Sequence, residues 1–120
     1  MTDPPDLNLV EARLRAILEP YRARLEENSL YGVETLRRPG ANAHDWFAGI
    51  RVGRDRVSFL LKPAYTWPIL LEPISTGLRK RMQGKTSFAF GRPDEALFAE
   101  LALLTERCYR AYEAGGPTID

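Results

Sequence analysis

One cysteine and one histidine are all that this 120-residue chain holds of the two side chains most used for nucleophilic and metal chemistry. Cys108 alone closes no internal disulfide, so a reducing, cytoplasmic setting is expected. His44 has no second histidine to share a metal with, and Cys108 stands far from it along the chain. No apolar run approaches the about 20 residues that a membrane helix needs. The opening MTDPPDLNLV has no basic segment ahead of an apolar one, so neither a membrane span nor a signal peptide is expected. Internal repeats and low-complexity stretches are also missing.

What is present is ordinary for a folded domain. Hydrophobic residues make up 44% and charged residues 28%, a balance that excludes wholesale disorder. The length suits a single α+β domain over residues 1–120, with 1–5 and 115–120 as flexible tails. Net charge is only +1, but it is segregated. Residues 1–36 carry a net −3, residues 37–92 a net +8 and residues 93–120 a net −4. A basic middle between acidic ends either faces an anionic partner or is neutralised by the ends folding over it, and the second is the simpler expectation.

Apolar spacing supplies the elements. Leu7, Val10, Leu14, Ile17, Leu18, Tyr21 and Leu25 recur every three or four residues, predicting a helix from about Asp6 to Glu27 with Asp6 as its cap. Pro20 lacks an amide hydrogen, so a kink or two shorter helices are expected there. Tyr31–Leu36 reads as a strand. In Trp46–Val52 the residues Trp46, Ala48, Ile50 and Val52 are expected on one face. Val57–Leu61 resumes the alternation after Gly53-Arg54-Asp55-Arg56, which makes an antiparallel hairpin. Lys62-Pro63 and Trp67-Pro68 predict extended chain leaving the sheet. Thr76–Gln83 reads as a short helix stopped by Gly84, and Thr86–Phe90 as a strand. The last helix opens at Pro93-Asp94, buries Leu97, Phe98, Leu101, Leu104, Cys108, Tyr109 and Tyr112, and ends at Gly115-Gly116-Pro117. The order α-β-β-β-α-β-α predicts one antiparallel sheet of about four strands, with the terminal helices on one face. Phe59, Phe88, Leu97, Leu101 and Leu104 are expected to share the core.

Catalytic motifs are hard to find. Gly84-Lys85-Thr86 lacks the earlier glycine and the strand-loop-helix order of a phosphate loop, so it reads as a helix stop. His44-Asp45 are neighbours on one strand-like segment and point apart. Cys108 falls on an apolar helix stripe, where it acts as a small hydrophobe. No catalytic residue, metal ligand or cofactor is expected. Cations and aromatics offer the better candidate. Trp46, Arg51, Lys62, Tyr65, Trp67 and Lys85 are expected to form a mouth where one strand leaves the sheet, suited to an anionic or aromatic ligand. The competing reading is core packing for the aromatics and a solvated face for Arg79-Lys80-Arg81.

The stretch from Ile50 to Leu104 resembles the YdhG-like family of small bacterial domains. Val57-Ser58-Phe59-Leu60, Gly84-Lys85 followed by Ser87-Phe88-Ala89-Phe90, and Asp94-Glu95-Ala96-Leu97-Phe98 carry the likeness. It implies a compact, bacterial, cytoplasmic α+β domain and assigns no catalytic residue. Some relatives are described as frataxin-like iron chaperones, which implies iron held by clustered surface carboxylates. The nearest such group is Glu26, Glu27 and Glu34, interrupted by Arg22 and Arg24. The expectation is therefore a non-enzymatic binding domain for a small molecule or protein. A second copy of the chain is one partner open to it. Iron handling, or an anion bound through the basic middle, stands as the alternative; nucleic acid is disfavoured and membrane is not expected.

Overall fold

The computed structural model describes residues 7–30, 32–42, 44–84 and 86–117. Asp6, Tyr31 and Lys85, expected as helix cap, strand start and ligand contact, lie outside them, as do residues 1–5 and 118–120. The chain is α+β with helices at both ends and a single sheet of six antiparallel strands. The strands are β1 (Glu26–Leu30), β2 (Val33–Arg37), β3 (Trp46–Val52), β4 (Val57–Leu61), β5 (Met82–Gln83) and β6 (Ser87–Phe90). They lie side by side in the order β1-β2-β3-β4-β6-β5. Four helices, α1 (Leu7–Leu18), α2 (Lys62–Thr66), α3 (Thr76–Arg79) and α4 (Glu95–Ala114), complete it.

Register fixes the two faces. Ile50 opposes Phe59, Phe59 opposes Phe88, Ala48 opposes Leu61 and Val57 opposes Phe90, so these residues share one side. Phe90 meets Phe98 of α4 edge-on at 5.0 Å, which places α4 on that side. Helices α1, α2 and α3 each touch α4. Among the described residues, therefore, the helices gather on one face and leave the other uncovered by any helix, although Thr35, Ser58, Ala89 and Trp46 there are buried among their neighbours. Phe59, Phe88, Leu101 and Leu104 are buried together as expected, with half-buried Leu97 packed against them.

Four local expectations are corrected. First, the N-terminal helix divides beside Pro20 as expected, into α1 ending at Leu18 and a 3-10 turn over Glu19–Arg24, but it does not run on to Glu27. Glu26 and Glu27 belong to β1, an exposed edge strand whose polar sequence carries no alternation to read. Second, α3 ends at Arg79, and the residues beyond it form β5. Gly84 is left-handed (φ +74°), but in the β5–β6 turn and not as a helix cap. These two added strands make the sheet six-stranded. Third, Lys62-Pro63 does not stay extended: it opens α2, where the first turn needs no proline amide. Fourth, β3 does not alternate throughout. Leu36 opposes Ala48 while Arg37 opposes Trp46, so Phe47 is the extra residue of a bulge. The bulge sends both Phe47 and Ala48 to the helix side and Trp46, with Arg37, to the other. There Phe47 packs against Tyr21, Tyr109 and Tyr112 at 5.3, 5.1 and 5.8 Å.

The ends of α4 follow their residues. Asp94 caps the first turn by accepting from the Leu97 amide at 3.1 Å, and Gly115 closes the last at φ +79°. Tyr112 then anchors the loop between β2 and β3. Its hydroxyl donates to the Asp45 carbonyl at 2.8 Å and accepts from the Arg38 amide at 3.0 Å.

Candidate functional site

Of the six residues read from the sequence, the five that are described do not share one place. Lys62, Tyr65 and Trp67 all belong to the segment that follows β4, within α2 and just beyond it. The Lys62 ammonium lies 4.8 Å from the centroid of the Tyr65 ring. Tyr65 is half exposed, whereas Trp67 packs against the core from a half-buried position. Trp46 is buried at the near end of β3, in register with Arg37. Arg51 is exposed at the far end of the same strand, opposite Ser58, on the order of 15 Å away at the usual rise per residue. The structure thus brings Lys62 and Tyr65 together, uses Trp46 and Trp67 largely for packing, and sets Arg51 apart.

Beside Tyr65 opens a cleft of about 470 Å³, lined by Ala64, Tyr65, Pro68, Leu71, Met82 and Gly84. Two prolines shape it. Pro63 starts α2, and Pro68 forces Trp67 out of helical geometry (φ −128°, ψ 82°), so the chain turns sharply into the 3-10 segment Pro68–Leu71. The turn leaves Ile69 exposed at 58% while Leu70 and Leu71 point inward. Arg79 donates to the Leu71 carbonyl at 2.9 Å and holds the far side of the turn. On the other flank, Ser75 donates through its amide and its hydroxyl to Glu100, both at 2.6 Å, which ties α3 to α4. The cleft wall is therefore braced from two elements. Apart from the Tyr65 hydroxyl, its side chains are apolar. Sequence reading missed all of the lining but Tyr65. The signal was the doubled proline in Pro63–Leu71, read as extended chain.

The groups with reactive potential are otherwise engaged. Cys108 is fully buried, and burial pushes its thiol up to about 12, so no thiolate forms near neutrality. His44 lies on the exposed β2–β3 loop, where its amide donates to Asn42 Oδ1. Tyr21 is buried, and burial, reinforced by its hydrogen bond to Glu106 at 2.7 Å, raises its hydroxyl well above the ordinary range. The same bond holds the Glu106 carboxyl below its usual value.

The three carboxylates considered for iron are also dispersed. Glu26 and Glu27 are adjacent on β1 and so face opposite sides. Glu27 pairs with Arg22. Glu34 pairs with Arg15 at 2.7 Å, and that hydrogen bond holds its carboxyl below the usual range. Among the described residues no three His, Cys, Asp or Glu side chains are grouped to hold a metal. No helix there is long and apolar enough to cross a membrane.

Charge compensation follows a pattern that the sequence does not reveal. Arg13 of α1 reaches Glu95 of α4, and Arg15, Arg22 and Arg110 hold carboxylates of their own end segments. Arg38 pairs with Asp45, and Arg56 with Asp55, within the basic middle. No ion pair among the described residues joins an acid of either end to a base of residues 37–92. The ends make their ion pairs within and between themselves and keep their net −3 and −4, and the middle keeps its net +8.

Comparison with known proteins finds no matching family model, no similar curated protein and no similar solved structure.

Proposed function

We propose that this chain is a non-enzymatic binding domain whose ligand is a small aromatic acid held in the cleft beside Tyr65. The carrying observation is the Lys62 ammonium poised 4.8 Å above the exposed Tyr65 ring at the edge of an apolar cleft. Such a rim offers a planar ligand a ring to lie against, and its carboxylate a cation that is already partly dehydrated. Ala64, Pro68, Leu71 and Met82 would take the apolar body. Met82 suits this, because its unbranched side chain adapts to irregular shapes. The YdhG-like resemblance is compatible with this reading and assigns no chemistry against it. Iron handling ranks behind it, since Glu27 and Glu34 are already occupied by arginines.

Calorimetric titration with naphthoate and its neutral alcohol counterpart tests the reading. Naphthoate binds saturably to the wild type. Lys62→Ala weakens binding at least about tenfold, the loss expected for one charge-assisted contact. The alcohol binds no better to wild type than to the variant. Equal affinity of naphthoate for wild type and Lys62→Ala would remove the basis of the proposal. Lys62 sits outside the fully buried core, so the variant is expected to melt close to wild type.

A further inference from the structure

The uncovered face of the sheet carries a second cleft, of about 300 Å³, whose polar lining is Asp55, Arg56, Lys80, Arg81 and Gln83. Ala89 gives it a small floor, and Ser58 stands opposite Ala89 in the next strand. The walls arrive from separate parts of the chain. Arg56 and Asp55 come from the β3–β4 loop, Lys80 and Arg81 from the link between α3 and β5, and Gln83 from β5. Two contacts fix their meeting: the Ala89 amide donates to the Arg81 carbonyl at 2.8 Å, and Gln83 opposes Ser87. Arg51, set apart from the Tyr65 cleft, lies opposite Ser58 on this face of the sheet and is not part of the cleft lining.

The cleft holds three cations against a single carboxylate. Asp55 accepts from Arg56 Nε at 3.2 Å and leaves the two terminal guanidinium nitrogens of Arg56 to a ligand. Among the described residues the side chains of Lys80, Arg81 and Gln83 enter no hydrogen bond or ion pair. By contrast, the arginines of α1 and Arg110 of α4 each hold a carboxylate. Three cations against one carboxylate leave this concave site with a net positive charge, and its small floor residues let the long side chains converge.

We propose that this cleft binds the dianionic phosphate group of a small phosphate monoester. Arg56 and Arg81 present planar forks to the phosphate oxygens, Lys80 supplies a third cation and the Gln83 amide a neutral donor. The cleft is larger than a bare phosphate fills, so an organic portion extends along the sheet over Ala89 and Ser58. Single-stranded nucleic acid fits less well. Around the arginines the strands of the uncovered face present Thr35, Gly49, Ser58, Leu60, Ser87 and Ala89, and Trp46 on the same face is buried at the opposite end of β3, so no exposed ring beside the cleft offers bases a stacking platform.

The test is titration of isotope-labelled protein with phenyl phosphate, inorganic phosphate and an oligothymidylate lacking a terminal phosphate, following the Nε–Hε signals of Arg56 and Arg81. Phenyl phosphate moves both signals saturably, and inorganic phosphate does so at least about threefold more weakly. Arg81→Ala and Lys80→Ala each weaken phenyl phosphate about tenfold, whereas Arg110→Ala leaves it unchanged. Lys80 and Arg81 are exposed, so the variants keep the wild-type fold, checked by thermal melting. Four outcomes overturn the proposal: no saturable shift at millimolar phenyl phosphate, inorganic phosphate binding as tightly as the ester, response to the oligothymidylate alone, or undiminished affinity in Arg81→Ala.

Discussion

Phe88→Ala is expected to lower unfolding stability by about 3–5 kcal/mol, close to the whole margin of a weakly stable domain. Phe88 is fully buried and lies in register between Phe59 of β4 and Met82 of β5. Its removal leaves a cavity among the close-packed side chains between sheet and helices, so a cavity term adds to the lost transfer energy. Urea unfolding measures it: the midpoint falls while the slope stays near wild type, because the surface exposed on unfolding barely changes. Phe88→Leu costs much less, since it keeps most of the volume. A Phe88→Ala protein with an unshifted midpoint would mean that β6 presents its other face to the helices.

The second large effect concerns Gly49. A methyl group placed there would lie 2.7 Å from the Glu34 carbonyl oxygen and 3.0 Å from Val33 Cγ1. The first neighbour is backbone, so β2 and β3 must separate to admit it. Gly49→Ala is expected to cost about 1–3 kcal/mol in the manner of an overpacked core. That sign is informative, because alanine in place of glycine commonly gains about 0.4–1 kcal/mol by stiffening the unfolded chain. Thermal melting distinguishes the two. A higher melting temperature for Gly49→Ala would contradict the Thr35–Gly49 register on which the assignment of the two faces depends.

Much of the fold was legible wherever one face of an element is apolar. The stripe of α4 and the β3–β4 hairpin were read at nearly their observed bounds, because burial leaves a period in the sequence. β1 left none, being an exposed edge with a single apolar residue, Leu30. β5 is two residues long and exists only because β6 pairs with it. Phe47 was assigned no partner from its position in the alternation; the bulge that buries it depends on β2, a long-range partner that local spacing cannot reveal.

The candidate sites were legible in kind more than in place. Cations and aromatics of the middle segment stand out together in the sequence, yet the sheet distributes them between its two sides. Lys62 and Tyr65 sit by the cleft on the helix side, and Arg51 lies on the other face, opposite Ser58. Met82 lines both clefts, so the two-residue strand β5 stands between them. Sequence spacing gives no distance across a sheet, and the split could not have been read from it. The pairing of one end with the other was equally hidden, since Arg13 and Glu95 are far apart in the chain.

The most direct test of the account is amide chemical-shift mapping of the wild-type domain during titration with naphthoate. The cleft beside Tyr65 predicts saturable shifts at Ala64, Tyr65, Leu71, Met82 and Gly84, with the β1–β2 hairpin unmoved. Saturable shifts confined to β1 and β2, or no saturable shift at all, would contradict it.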